Sequence, residues 1–488
     1  MNQPPSILLN AESEYIPLIV DLDGTLTPTD TLIESVIRLV KHNPWDVLKL
    51  PFWVLSGRSV FKSNVVSRVG FSAENLPYRQ PFVDYLRSEK GKGRRIILAT
   101  AAHRSIAESV AVQLGLFDSV LASDEKRNLK GKAKLEAIRE TVGERFVYAG
   151  DSAADLPIWE AAEAAVLVGT SVRVAKAVRR NTPIEREFPR INPSGIVWLR
   201  ALRVHQWLKN LLLFVPLLTT FSFFDASKLV TTIVAFFAFS LAASATYVVN
   251  DLWDIENDRS HPRKRNRPFA NASITIPTGI TVAAGALIVA LMLAAFISNG
   301  FLLMLLLYIT LTSAYSWVLK EYVLIDVLTL SLLYTLRILA GAVAIGALTS
   351  SWLLAFSVFI FFSLALVKRC SELVSLGQSG GEAARGRDYR VTDLIVLWPL
   401  GIGAALCAVV VFGLFISAAE TQARYVSAEL LWFVAIGLIY WLARLWIKTA
   451  RGEMHDDPLV FAIKDSGSRV TILAMILATL VAHFIHIG

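Results

Sequence analysis

From about residue 198 to residue 488 the chain is a succession of apolar runs separated by short charged loops. Lipid offers no hydrogen bonds to a peptide group, so runs of this length are viable only as helices that satisfy their own backbone. Nine such helices are expected, near 208–223, 228–249, 275–298, 301–319, 323–347, 352–373, 394–418, 429–448 and 469–487, the first being short and interrupted by Pro216. Cations crowd the loops after the even-numbered runs: Arg259, Arg263, Lys264, Arg265 and Arg267, then Lys320, then Lys368, Arg369, Arg385, Arg387 and Arg390, then Lys448, Arg451, Lys464 and Arg469. The loops after the odd-numbered runs hold little beyond Lys228 and Arg424. The positive-inside rule then predicts a multi-pass protein of the cytoplasmic (inner) membrane, with the charged loops and the amino-terminal part in the cytoplasm.

The first 195 or so residues mix charge and apolar side chains as a soluble domain does. The opening MNQPPSILLNAESEYIP lacks a basic stretch followed by an apolar one, so no cleavable signal is expected. A formal charge of +8 follows from cations that flank the apolar runs, which argues for membrane orientation and against nucleic acid as a partner. Cys370 and Cys407 are the only cysteines and suggest neither a disulfide framework nor a thiolate metal site. The reading is a soluble domain over 1–180 with a helical cap over about 31–90, a Pro-rich polar linker over 181–197, and a membrane domain over 198–488.

Directly after the second apolar run stands Asn250-Asp251-Leu252-Trp253-Asp254-Ile255-Glu256-Asn257-Asp258-Arg259. On one continuous helix Asp251, Asp254 and Asp258 fall at i, i+3 and i+7 and share a face, a pattern suited to gathering Mg²⁺ around a diphosphate. In the soluble half, the apolar run Ile16 to Val20 ends in Asp21-Leu22-Asp23-Gly24-Thr25, as a buried strand ends at a catalytic loop. A second run, Arg95 to Ala99, ends at Thr100; Lys132 lies at a helix start; a third, Phe146 to Gly150, runs into Asp151-Ser152-Ala153-Ala154-Asp155.

This ordered set resembles the haloacid dehalogenase superfamily, whose fold is an α/β Rossmann-like domain with a cap. The resemblance implies Asp21 as a nucleophile that forms an aspartyl-phosphate, Asp23 as acid and base, and Thr100 and Lys132 on the phosphoryl group. It further implies Asp21, Asp151 and Asp155, with the backbone carbonyl of Asp23, as Mg²⁺ ligands. In the cap, Trp45, Leu48, Leu50, Phe52, Trp53 and Leu55 supply an apolar surface, either as cap core or as a face turned to the bilayer or the membrane half.

The acidic string, with His261, Pro262, Lys264, Arg267 and Pro268 after it and His205-Gln206-Trp207-Leu208-Lys209-Asn210 before it, resembles the UbiA superfamily of intramembrane prenyltransferases. That resemblance implies an all-α polytopic domain of nine helices, with Asn250 at the site and Mg²⁺ bridging Asp251, Asp254 and Asp258 to a diphosphate. No second D-x-x-x-D stands where the sixth run meets its loop; Lys368-Arg369-Cys370-Ser371-Glu372 and Arg387-Asp388-Tyr389-Arg390 stand there instead. With Lys320, Asp326, Asp456-Asp457-Pro458 and Lys464, this is similar to the phosphoribosyltransferase branch, whose donor is phosphoribosyl diphosphate and whose acceptor is a polyprenyl phosphate. Lys209, Asn210, Arg259, Lys264, Arg267, Lys320, Asp326, Lys368, Arg369, Glu372, Arg387, Tyr389 and Lys464 are then candidate substrate contacts. Arg337 joins them because a charge inside an apolar run needs a partner. The expected whole is a bifunctional enzyme: phosphoribosyl transfer to the lipid, then removal of the 5-phosphate. The competing reading is a prenyltransferase using polyprenyl diphosphate and an aromatic or other acceptor, with an independent phosphatase. Oligomeric state is not legible.

Overall fold

The computed structural model describes residues 16–125, 127–348, 350–383, 386–454 and 457–486; Arg385 and Asp456 of the motifs above lie outside them. The chain divides into two compact units, Met1–Leu202 with Val248–Val282, and Arg203–Tyr247 with Ala283–Gly488.

The first unit is built on a six-stranded parallel sheet. Its strands are β1 (Leu18–Val20), β2 (Ile96–His103), β3 (Ser119–Ser123), β4 (Val147–Gly150), β5 (Ala164–Val168) and β6 (Ile184–Phe188), in the order β3-β2-β1-β4-β5-β6. Residues Leu18 to Val20 and Val147 to Gly150 are wholly buried, as a sheet covered on both faces requires. Between β1 and β2 come α1 (Thr31–His42), α2 (Leu50–Leu55), α3 (Arg58–Arg68) and α4 (Gln80–Gly91). Phe82, Val83 and Leu86 of α4 join the sheet's core, whereas α1 to α3 close on a small core of their own at Leu39, Val65 and Val69. Within 31–90, α4 thus packs with the sheet. Helices α5 (Arg104–Leu114), α6 (Lys132–Val142), α7 (Leu156–Ala161) and α8 (Val172–Asn181) follow the later strands.

The segment expected as linker contributes β6. Its charged residues hid it: Glu185 accepts both terminal nitrogens of buried Arg94, at 2.6 and 3.0 Å, so an edge strand of mixed polarity is anchored by a bidentate ion pair. The apolar cap face is exposed, not core. Trp45, Leu48, Phe52 and Leu55 are each more than two-thirds exposed, while Trp53 and Leu50 turn inward.

The rest of the chain is helical: α9 (Gly195–Ala201), α10 (Val215–Thr219), α11 (Ala226–Trp253), α12 (Ile255–Ser260), α13 (Ile276–Ile297), α14 (Asn299–Trp317), α15 (Ile325–Ala344), α16 (Ser351–Gln378), α17 (Leu394–Ser417), α18 (Ala419–Arg424), α19 (Leu431–Ala450), α20 (Pro458–Lys464) and α21 (Ser466–Phe484). Eight of these, α11, α13 to α17, α19 and α21, are long and apolar enough to cross a membrane, which makes a multi-pass membrane protein. The first expected span is different. Residues Val204–Phe214 wind as a tight 3₁₀ helix and hand over to the five-residue α10 at Pro216, whose missing N–H interrupts the helical ladder. Close packing in the second unit rests on small residues: Ala235, Ala238, Ala242, Ala290 and Ala294 meet Phe239, Phe301 and Tyr308. Gly341 is forced by the same economy, since a Cβ there would lie 2.2 Å from the Leu213 carbonyl oxygen.

Candidate functional site

Three carboxylates converge beyond the carboxyl ends of β1 and β4, where the strand order of a parallel sheet reverses and leaves a crevice. The ligand atoms of Asp21, Asp151 and Asp155 lie within 4.8 Å of one another, the only such His, Cys, Asp or Glu group of three among the described residues. Gly24 holds the first loop with φ +80°, and a Cβ there would sit 2.3 Å from Asp151 Oδ2, so both the turn and the approach of Asp151 need glycine. Asp21 accepts the Leu22 N–H at 2.8 Å. Lys134 Nζ reaches Asp21 at 3.0 Å and Asp155 at 3.7 Å, and Tyr148 donates its hydroxyl to Asp155 at 2.8 Å.

Lys134 therefore stands where Lys132 was expected. Lys132 is exposed at the first turn of α6; Lys134 lies on the helix face buried with Ala137 and Ile138, at i+3 and i+4. That periodicity was readable in the sequence. Thr100 is buried in β2 and its hydroxyl accepts the Ala102 N–H at 3.0 Å. The Asp23 carboxylate stands outside the metal-like group and caps α1 by accepting the Thr31 N–H at 2.9 Å.

One lysine faces three carboxylates, and the imbalance shows in their proton affinities. Burial, then the neighbouring acids, pushes Asp151 up to about 7; burial pushes Asp21 up to about 6 although Lys134 opposes it. Asp23 is pushed up to about 8 by burial and by Asp30, and so holds a proton at neutral pH. For Lys134 burial disfavours the charge, but Asp21 and Asp155 outweigh it and raise the pKa. A cluster of hard oxygen donors short of positive charge fits Mg²⁺. The cavity above it, about 680 Å³, is also lined by Lys62, His103 and Lys130, and by Thr275, Ile276 and Pro277 at the start of α13.

The second acidic motif does not present one face. α11 stops at Trp253 and α12 restarts at Ile255, with Asp254 between them outside helical geometry. Asp251 and Asp258 are brought together by Arg267, whose Nη1 donates to both at 3.2 and 2.6 Å, and both are buried. Asp254 diverges toward Lys41, 3.7 Å away. Arg259 does not project as a free cation; it grips Glu34 of α1 with both terminal nitrogens, at 2.8 and 2.7 Å, and donates to the Ala270 carbonyl. Asn250 is half-buried near the end of α11, and Lys264 is exposed.

In the second unit the expected residues fall into three groups. Lys209 and Lys368 share Asp457, at 3.1 and 3.5 Å. Asp326 is wholly buried and accepts from the Val327 N–H, the Tyr389 hydroxyl and Arg369; Arg369 also pairs with Glu372, to which Arg387 donates at 2.9 Å. Arg337 has neutral partners: Asn210 Oδ1 at 2.9 Å, the Tyr308 hydroxyl at 3.1 Å and the Leu333 carbonyl, so it is tied into the bundle. Lys320 is half-buried and Lys464 is exposed.

Residues 211–464 match the UbiA prenyltransferase family and residues 63–160 match the haloacid dehalogenase-like hydrolases. The chain belongs to the UbiA prenyltransferase family and carries a haloacid dehalogenase-like hydrolase domain ahead of it. Among its relatives, an uncharacterized protein, y4nM, of Sinorhizobium fredii is 38% identical over 96% of this chain and 91% of its own length. Nodulation protein NoeC of Azorhizobium caulinodans is 34% identical over 58% of this chain and 92% of its own. Decaprenyl-phosphate phosphoribosyltransferase of Mycobacterium tuberculosis is 30% identical, again over 58% and 92%.

Proposed function

We propose that the chain is a bifunctional enzyme of the cytoplasmic membrane that transfers 5-phosphoribosyl from phosphoribosyl diphosphate to a polyprenyl phosphate and then removes the 5-phosphate. The observation that carries the hydrolytic half is the Asp21, Asp151, Asp155 and Lys134 group in its own cavity. The transferase half rests on the family and on the relative named for phosphoribosyl transfer. The soluble domain works on the cytoplasmic side, as the cationic loops argue.

In the transferase, the lipid phosphate oxygen bonds to the ribose anomeric carbon as the bond to diphosphate breaks, and diphosphate leaves. Asp251 and Asp258 would hold Mg²⁺ there, and Asp21, Asp151 and Asp155 would hold it in the phosphatase, where it would supply charge to offset that on the leaving diphosphate and the transferring phosphoryl group. Arg267, between Asp251 and Asp258, donates to both and turns them toward each other. Lys209 and Lys368 take phosphate groups of the substrates, with Lys320 and Lys464 on the charged loops assisting.

In the phosphatase, an Asp21 oxygen attacks phosphorus and the bond to the ribose 5-oxygen breaks. Asp23 gives its proton to that oxygen, then as a carboxylate takes one from the water that cleaves the aspartyl-phosphate. Lys134 neutralises the phosphoryl oxygens, and Thr100 sets the backbone of the strand end beside them.

The full chain in nanodiscs with Mg²⁺, radiolabelled phosphoribosyl diphosphate and polyprenyl phosphate is expected to yield a labelled lipid without its 5-phosphate. Asp21→Asn should accumulate the 5-phosphorylated form. Labelling only when polyprenyl diphosphate and an aromatic acceptor are supplied sinks the transferase reading, and an unaltered phosphate content in Asp21→Asn sinks the second step.

A further inference from the structure

The face of the cap beside the phosphatase cavity carries an apolar groove of about 690 Å³, lined by Val47, Leu50, Pro51, Val54, Leu55 and Phe61, with no ionisable side chain in it. Val54 and Phe61 also line the cavity that holds Asp21, so groove and catalytic cavity share a wall. Leu55 is 84% exposed and Val54 58%; Leu50 and Trp53 of the same helix pack against the small cap core, so α2 is anchored on one side and presents Val54 and Leu55 on the other. A soluble lid does not keep such a surface without an occupant.

Two further contacts fix what kind of occupant is at hand. The catalytic cavity is also lined by Thr275, Ile276 and Pro277 at the start of α13, a helix long and apolar enough to cross a membrane. Lys41 of α1 donates to the carbonyl of Trp253, the last residue of the spanning helix α11, at 3.2 Å. The cavity lining and the cap thus each touch the end of a helix long and apolar enough to cross a membrane, and a phosphate ester presented there from lipid would carry a hydrocarbon chain.

We propose that this groove seats the first part of the hydrocarbon chain of the phosphatase's own substrate, so that the Asp21 site selects phosphate monoesters anchored to a lipid over free sugar phosphates. The phosphate goes to Asp21 and Lys134, the polar body fills the cavity past Lys62 and Lys130, and the chain leaves over Val54 and Phe61 into the groove. This rests on the phosphatase reading above and adds to it the element that recognises the chain. One methylene in a closed apolar pocket is worth about 10- to 200-fold; this groove is open and leaves Val54 and Leu55 largely exposed, so a tenfold preference is the minimum expected for the whole chain.

The test uses the full chain in detergent micelles and two probes that differ only in chain, decyl riboside 5-phosphate and methyl riboside 5-phosphate, with Asp21→Asn subtracted as background. The wild type is expected to show kcat/KM at least tenfold higher for the decyl ester, through KM. The double substitution Val47→Ser/Leu55→Ser, at exposed positions that stand outside the catalytic cavity, should bring that ratio down by about tenfold, whereas Val112→Ser on exposed α5 should leave it as it was. A wild-type ratio near one, or a ratio the groove substitutions do not move, overturns the proposal and leaves the face to contact with the bilayer. If neither ester is hydrolysed above background, the phosphatase reading falls and the groove's role with it. That outcome differs from failure of the groove alone, in which the methyl ester is still cleaved.

Discussion

Lysine 134 and lysine 132 are two residues apart and separated by about 200° of helix, and that rotation decides which of them meets Asp21. Lys134→Met should lower kcat for phosphate-ester hydrolysis by roughly 10²- to 10³-fold, the usual loss when one donor to a developing charge is removed; Lys132→Met should stay within about twofold. Steady-state hydrolysis by both variants settles this, and equal losses would return the role to the exposed lysine. The acids beside Lys134 bring a pH dependence. Asp21 and Asp151 hold protons in the folded, metal-free protein up to about 6 and about 7, while the unfolded chain releases its own near 4. The folded state thus binds more protons across that window, and stability falls as pH rises through it. Mg²⁺ competes with those protons, so its stabilisation of the hydrolase domain grows in the same direction. Thermal melting of the full chain is expected to show a larger rise in Tm with Mg²⁺ at pH 8 than at pH 5.5, and a larger rise at the lower pH would contradict the site.

Among the elements, the buried strands and the eight long helices followed directly from run length and apolar composition, because burial in a sheet or in lipid leaves a strong hydrophobic signal. Elements stabilised by specific pairs were not legible in the same way. β6 reads as linker until Glu185 is seen on Arg94, whereas the weakness of the first expected span is already legible at Pro216. Asp251, Asp254 and Asp258 kept their spacing but not their face, since a one-residue break at Asp254 turns the second helix away. Arg259 shows why a cation in a motif is not evidence of a ligand: its partner, Glu34, is 225 residues earlier in the chain, and no local pattern reveals it. That pair is 7% and 5% exposed and bidentate, and it joins the cap helix α1 to α12. Breaking one side strands a buried charge, so Arg259→Leu should destabilise the protein by about 3 kcal/mol or more, and Glu34→Leu/Arg259→Leu should recover a large part of it. A double-mutant cycle by thermal melting measures the coupling; additive losses would show that the two side chains stabilise the fold independently.

For the whole molecule, the bifunctionality proposed above implies a kinetic advantage for one polypeptide. An intermediate anchored in lipid diffuses only in the plane of the bilayer, so a hydrolase attached to its own transferase meets each new product at a high effective concentration without any additional contact. The groove proposed above to hold the substrate's chain fits the same reading. Splitting the activities between molecules tests it. In vesicles holding equal amounts of Asp21→Asn, which retains the transferase, and Asp251→Asn, which retains the hydrolase, every catalytic group is present but each intermediate must travel. At low protein density such vesicles are expected to accumulate 5-phosphorylated lipid early and to lag in forming the dephosphorylated product, whereas wild-type vesicles with matched numbers of active transferases and hydrolases should show little lag. Raising the protein density shortens the travel and should close the gap. If mixed and wild-type vesicles form product with the same lag at every density, fusion confers no kinetic coupling, and the two domains share a chain for some other reason, such as equal abundance in one membrane.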